Sequence, residues 1–167
     1  MTRPSVWLLD ANLLIALTQA AHVHHAEAHR WFGAVPKRRW ASCALTQLAF
    51  VRLTSNAKVV GSEIAPADAM QALAAMAAQP SHEYWADAPE PLRLPTLSSA
   101  ALVGHRQVTD AYLLGIAAHR QQRLATLDRG LMSFAQATGL GAALELVGAP
   151  PAVQENVVPY RPKRTKR

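Results

Sequence analysis

Cysteine occurs once in the 167 residues, at Cys43, which excludes an intramolecular disulfide and a thiolate zinc cluster and points to a reducing compartment. Long apolar runs are missing as well. The alanine-rich stretch from Ala69 to Ala78 is too short to span a bilayer and contains Gln71. Asp10 and Asn12 interrupt the first apolar stretch, so the beginning does not read as a signal peptide. These absences predict a soluble, cytoplasmic protein with no membrane contact. There is no glycine-rich phosphate loop, and no serine or cysteine nucleophile arrangement. Acid is scarce: eleven Asp and Glu stand against seventeen Lys and Arg.

Half the residues are hydrophobic, and the length suits one domain with a substantial core. Five of the cations, Arg161, Lys163, Arg164, Lys166 and Arg167, fall at the end of the chain with no acid among them. Without them twelve basic residues face eleven acidic ones, so the body is near neutral. We therefore expect a globular domain over residues 1–150 and a basic, flexible arm over 151–167. Such an arm can touch phosphates without sequence selectivity, or simply aid solubility.

Apolar runs alternate with helically spaced segments. Strands are predicted at Val6 to Leu9, Trp40 to Leu45, Glu83 to Trp85, Arg123 to Leu127 and Leu144 to Val147. Helices are predicted over Ala11 to Ala20, Val23 to Val35, Thr46 (as N-cap) to Leu53, Pro66 to Ala78, from about Ser98, and Asp110 to His119 with Thr109 as cap. Asn56 to Ala65 reads as a loop. This alternation gives an α/β domain around a mainly parallel sheet.

In right-handed βαβ units the C-termini of strands and the N-termini of helices share one edge of the sheet. Asp10 closes the first strand, Asp128 closes the strand at Arg123 to Leu127, and Asp110 lies in the first turn of a helix. All three belong to that edge, with Gln47 joining them after Thr46. Taken singly each has a plain explanation: a cap for Asp10, a first-turn acid for Asp110, a turn former for Asp128. Together they would repel one another without a cation, and oxygen-only ligation suits Mg²⁺ or Mn²⁺. A hard cation with bound water can hydrolyse phosphodiesters.

Leu9-Asp10-Ala11-Asn12, Thr46-Gln47-Leu48 with Val51-Arg52, Val108-Thr109-Asp110-Ala111-Tyr112-Leu113 and Leu124-Ala125-Thr126-Leu127-Asp128-Arg129 resemble the successive acidic motifs of PIN-domain ribonucleases, in particular VapC-type toxins of type II toxin–antitoxin systems. The resemblance spans about Val6 to Val147. It implies a three-layer α/β/α sandwich, Mg²⁺ or Mn²⁺ in an acidic pocket, endonucleolytic cleavage of RNA, a cognate antitoxin and a homodimer. It assigns Asp10 and Asp110 as metal ligands, Asp128 as completing the catalytic acidic cluster, Asn12 as a support for Asp10, and Thr126 as a polar neighbour. Gln47 departs from the glutamate usual in the family. It keeps the reach but not the charge, so Gln47→Glu should tighten metal binding. That departure keeps two alternatives open, a weakened PIN domain that binds RNA or protein without cutting, and an RNA-processing PIN nuclease with no antitoxin.

Other features have competing readings. His25 and His29 are four apart on one helix, near His22 and His24, but lack a third ligand for zinc and the spacing of the zincin motif. Trp31, Phe32 and Trp40 near Lys37-Arg38-Arg39 could stack bases or fill the core. Arg106 and Arg129 are placed to hold an RNA backbone or to form surface ion pairs. Ala69, Leu73 and Met76 or Ala77 form a helical stripe for a second subunit, an antitoxin helix, or the protein's own core.

Overall fold

The computed structural model describes residues 5–86, 89–98 and 100–148. The expected basic arm and the end of the 1–150 domain lie outside the described residues. The sheet has five parallel strands, β1 (Trp7–Leu9), β2 (Trp40–Ser42), β3 (His82–Tyr84), β4 (Arg123–Thr126) and β5 (Leu144–Leu146). Their order is β3-β2-β1-β4-β5, with β1 in the centre. The chain winds outward from β1 through β2 to β3, then returns to pair β4 with β1. Such a reversal opens a crevice at the carboxyl ends of the two central strands.

Helices cover both faces. On one side lie α1 (Ala11–Thr18), α2 (His25–Gly33), α3 (Ala44–Thr54), the short α4 (Ala57–Val60) and α5 (Pro66–Ala77). On the other lie α6 (Gln107–His119) and α7 (Leu131–Ala137). Strand alternation sorts the core between them. Leu8, Ala41 and Leu124 pack with Leu114, Ile116 and Phe134, while Leu9, Trp40 and Ala125 pack with Leu13, Leu14 and Phe50. Because both faces are buried, these strands read as continuous apolar runs. Each fully buried leucine contributes about 2 kcal/mol through removal of apolar surface from water. The structure is thus the expected α/β sandwich, and among the described residues no helix is long and apolar enough to cross a membrane.

Several local expectations are corrected. Cys43, not Thr46, is the N-cap of α3; Thr46 sits at the third helical position, and its hydroxyl accepts from the Cys43 N–H at 3.0 Å. The loop at 56–65 contains α4, which Asn56 caps through its side chain and Gly61 ends at φ 75°. Among the described residues no helix begins near Ser98. Pro91 opens a single 3-10 turn, Pro91–Arg93, the chain then runs in turns, and Leu94 and Thr96 press against Gly115 of α6, where a side chain would meet the Thr96 hydroxyl at 2.6 Å. α6 itself starts three residues before Asp110, its entry closed by the Gln107 side chain accepting from the Val103 N–H at 3.1 Å. α7 was not anticipated, although Leu131, Phe134 and Ala135 show its buried face at helical spacing.

The remaining ambiguous features turn out to be structural. Ala69 and Leu73 are buried in the core. His25 Nδ1 and His29 Nε2 each lie 2.8 Å from carbonyl oxygens of the last turn of α1, Ala16 O and Leu17 O. Both rings therefore donate to a helix end that would otherwise lack partners. Trp40 is fully buried. Near the start of the strands, the Arg38 guanidinium lies 3.9 Å from the centre of the Trp31 ring and 4.4 Å from that of Trp7. Both indole N–H groups donate to Glu145, at 2.5 Å from Trp7 and 2.6 Å from Trp31, and Arg38 pairs with Glu145 at 3.7 Å.

Candidate active site

Asp10 follows β1 directly and caps α1. Its Oδ1 accepts the Leu13 N–H at 2.6 Å, and its Oδ2 accepts the Thr126 hydroxyl from the end of β4. The Thr126 hydroxyl oxygen in turn accepts the Asp128 N–H at 3.0 Å. One threonine thus ties the ends of the two central strands together. Asp128 closes its own turn, its Oδ1 accepting the Gly130 N–H at 2.7 Å, and its side chain stays exposed. Asp110 sits in the first turn of α6 and is half-buried.

Asp10 is only 5% exposed. Its pKa is raised to about 6, first by burial, and further by the charges of Asp110 and Asp128. The bonds from Thr126 and Leu13 oppose that rise. Asp110 is raised to about 6 by burial and then by Asp128. The charges of Asp110 and Asp128 therefore oppose ionisation of Asp10, and among the described residues no cation forms an ion pair with any of the three carboxylates.

Asp10 and Asp110 line one cleft of about 180 Å³ together with Asn12, Thr46, Ala49, Arg52 and Thr109. A larger, apolar cleft of about 360 Å³ beside Gly115 and Leu140 shares no lining residue with the acidic one and offers no carboxylate. Asn12 borders the acidic cleft but among the described residues makes no hydrogen bond to Asp10. Gln47 lies off the cleft-facing side of α3. Its amide nitrogen donates to Ser42 Oγ at 2.9 Å, and Ser42 Oγ lies 2.8 Å from His82 Nε2. Arg106 precedes α6 and Arg129 follows Asp128; both are exposed, and neither lines the cleft. Thr46, Arg52 and Thr109 line the cleft without standing out in the sequence as doing so. The three-and-four spacing of Thr46, Ala49 and Leu53 along one face of α3 is the signal that finds the first.

The donors suit a hard divalent cation: buried carboxylate oxygens whose charge is uncompensated, with threonine hydroxyls beside them. Among the described residues no group of three His, Cys, Asp or Glu side chains gathers closely enough to hold a metal by itself. A cation here would draw most of its ligands from water or substrate, as Mg²⁺ commonly does.

No protein-family model matches the chain. Curated relatives do. The chain is 43% identical over 129 residues to ribonuclease VapC38 of Mycobacterium tuberculosis strain H37Rv, a match covering 77% of this chain and 89% of the relative. Ribonuclease VapC39 of the same strain is 40% identical over 131 residues, covering 78% and 94%. Ribonuclease VapC29, again from that strain, is 44% identical over 124 residues, covering 74% and 86%.

Proposed function

The chain belongs to the VapC ribonuclease family, and from that premise we propose that it is a divalent-metal-dependent endoribonuclease, the toxic half of a toxin–antitoxin pair. The observation that carries the reading is the uncompensated pair Asp10 and Asp110 in one cleft, both raised to about 6. Charge left unpaired by a fold that pairs its other buried charges is a functional signal.

In this reading Asp10 and Asp110 are the metal ligands and Mg²⁺ or Mn²⁺ is the cation. Leu13 and Thr126 hold Asp10 in one orientation, leaving its remaining lone pairs for the cleft. Asp128, exposed at the rim, completes the catalytic cluster by its field. A divalent cation bound there supplies Lewis acidity and an activated water for attack on phosphorus. Asn12 supports the rim of the cleft. Gln47 supports it indirectly, through Ser42. Arg106 and Arg129, exposed outside the cleft, hold the RNA backbone. The domain spans 1–150, the arm 151–167 adds sequence-independent phosphate contacts, and the protein works in the cytoplasm as a homodimer restrained by a cognate antitoxin.

Induced expression of wild type beside Asp10→Asn, with RNA ends mapped, tests the reading. Wild type should arrest growth and generate new RNA ends, and the variant should do neither. Equal arrest by both proteins, or no Mg²⁺- or Mn²⁺-dependent cleavage by purified wild type, overturns it.

A further inference from the structure

α3 turns a narrow side to the acidic cleft, with Thr46, Ala49, Arg52 and Leu53 along it. Ala49 is small, so that side leaves open space beside the carboxylates. Arg52 is exposed, and among the described residues its guanidinium forms no ion pair within 4.0 Å of any carboxylate. Asp10 and Asp110 border the same cleft, and neither carboxylate is ion-paired with Arg52. The cation therefore stands off from two anions with which it shares about 180 Å³.

That separation is informative. If Arg52 served only to neutralise the acids, closing the gap would gain charge-assisted hydrogen bonds. A gap with carboxylates on one side and a guanidinium on the other suits an occupant that presents a cation to the first and an anion to the second. A phosphodiester arriving with a divalent ion has that polarity. Guanidinium matches it better than an ammonium would, because its planar fork can engage two phosphate oxygens at once.

We propose that Arg52 is a catalytic residue that binds the non-bridging oxygens of the scissile phosphate; this rests on the nuclease reading given above. In the hydrolysis, water oxygen bonds to phosphorus and gives up a proton, the P–O ester bond breaks, and the departing oxygen takes up a proton. Negative charge on the non-bridging oxygens is stabilised by Arg52, which keeps its own proton throughout. Arg106 and Arg129, outside the cleft, contact neighbouring phosphates instead.

Kinetics of Arg52→Ala and Arg52→Lys on a short single-stranded RNA, beside wild type and Asp110→Asn, test the assignment. Arg52→Ala should lower kcat/KM about 10- to 100-fold, the scale of a lost charge-assisted contact in the transition state, and lysine should restore part of it. Calorimetric Mn²⁺ affinity of Arg52→Ala should stay equal or become tighter, because a cation has been removed from beside the ligands. A structural role would weaken metal binding and lower the melting temperature. RNA binding is also compared in an Asp110→Asn background with and without Arg52→Ala, where loss of the arginine should weaken binding about 5-fold or more. Unchanged kcat/KM, or parallel losses of activity and Mn²⁺ affinity, would overturn the role of Arg52. If wild type and Asp110→Asn are equally inactive, the nuclease reading fails, and the binding comparison still decides whether Arg52 holds phosphate.

Discussion

Two ends of the same sheet bury charge in opposite ways. Near the strand starts, Arg38 is 5% exposed, and burial pulls its pKa below the usual arginine value. Glu145 partly offsets that cost, and two indole rings flank the guanidinium while their N–H groups bind the same Glu145. At the strand ends, burial again opposes the charged form of Asp10, but the neighbouring charges are of the same sign and add to the cost. One end answers desolvation with a partner, and the other compounds it. The first arrangement suits the integrity of the fold. The second is what a fold retains when the missing partner arrives from outside.

The sharpest test of this contrast exchanges the two ends. Asp110→Asn should reduce RNA cleavage at least about 1000-fold, since it removes a cation ligand whose effect falls on the chemical step, with the metal-free protein equally stable or more so. Arg38→Ala should do the reverse. It removes the guanidinium from between two rings, while Glu145 keeps both indole N–H groups and Arg123 at 3.3 Å, so it should cost about 1.5–3 kcal/mol in denaturant unfolding, with cleavage per folded molecule close to wild type. A stable Arg38→Ala protein that cannot cut RNA would break the division between the ends.

Acidification should favour the acidic end. A carboxyl raised from 3.8 to about 6 binds its proton more tightly when folded than when unfolded. Its contribution to stability is therefore most favourable at low pH, declines as pH rises from about 4 to 6, and becomes a full penalty above that. For Asp10 the penalty at neutral pH is about 3 kcal/mol by linkage. Urea midpoints of metal-free wild type and Asp110→Asn should differ most near pH 7.5 in favour of the variant, by less at pH 5, and converge only as the pH falls to about 4. Divergence on acidification would contradict the assigned direction. Added Mn²⁺ should stabilise wild type more at pH 7.5 than at pH 5.

The smallest effect belongs to Gln47→Glu. The sequence alone favours tighter metal binding, but Gln47 donates to Ser42 on a side of α3 turned from the cleft. A glutamate there would accept from Ser42, leaving His82 Nε2 to donate to the serine oxygen. Metal affinity should tighten by only about two- to fivefold, as for an indirect contact. The His82 titration, depressed by burial in the wild type, should move upward by NMR. A large gain in Mg²⁺ affinity would mean that the side chain reaches the cleft after all.

The central strands were plain in the chain, because strands buried on both sides are apolar where they cross the core, as Trp7–Leu9 and the Leu124–Ala125 middle of β4 are. Asp10, Asp110 and Asp128 were legible for a topological reason: strand ends and helix starts meet at one edge whatever the details. Arg52 was not. Its place depends on where α3 begins, and Cys43 is a weak capping signal beside the more conventional Thr46. A start shifted by a few residues rotates every side chain on the helix. The same uncertainty put Gln47 at the pocket. α7 and the turns before α6 escaped because tertiary packing, such as Thr96 against Gly115, decides them over local preference.

The bond between Asp10 and Thr126 joins residues 116 positions apart. Such contacts form late, because the intervening chain must first be ordered. During synthesis the acidic end is therefore unfinished until β4 has emerged and docked against β1. A nascent or prematurely terminated chain would carry Asp10 without the hydroxyl that orients it. Completion of the acidic end therefore waits on the fourth of the five strands, and the place of Thr126 in the chain sets that order of assembly.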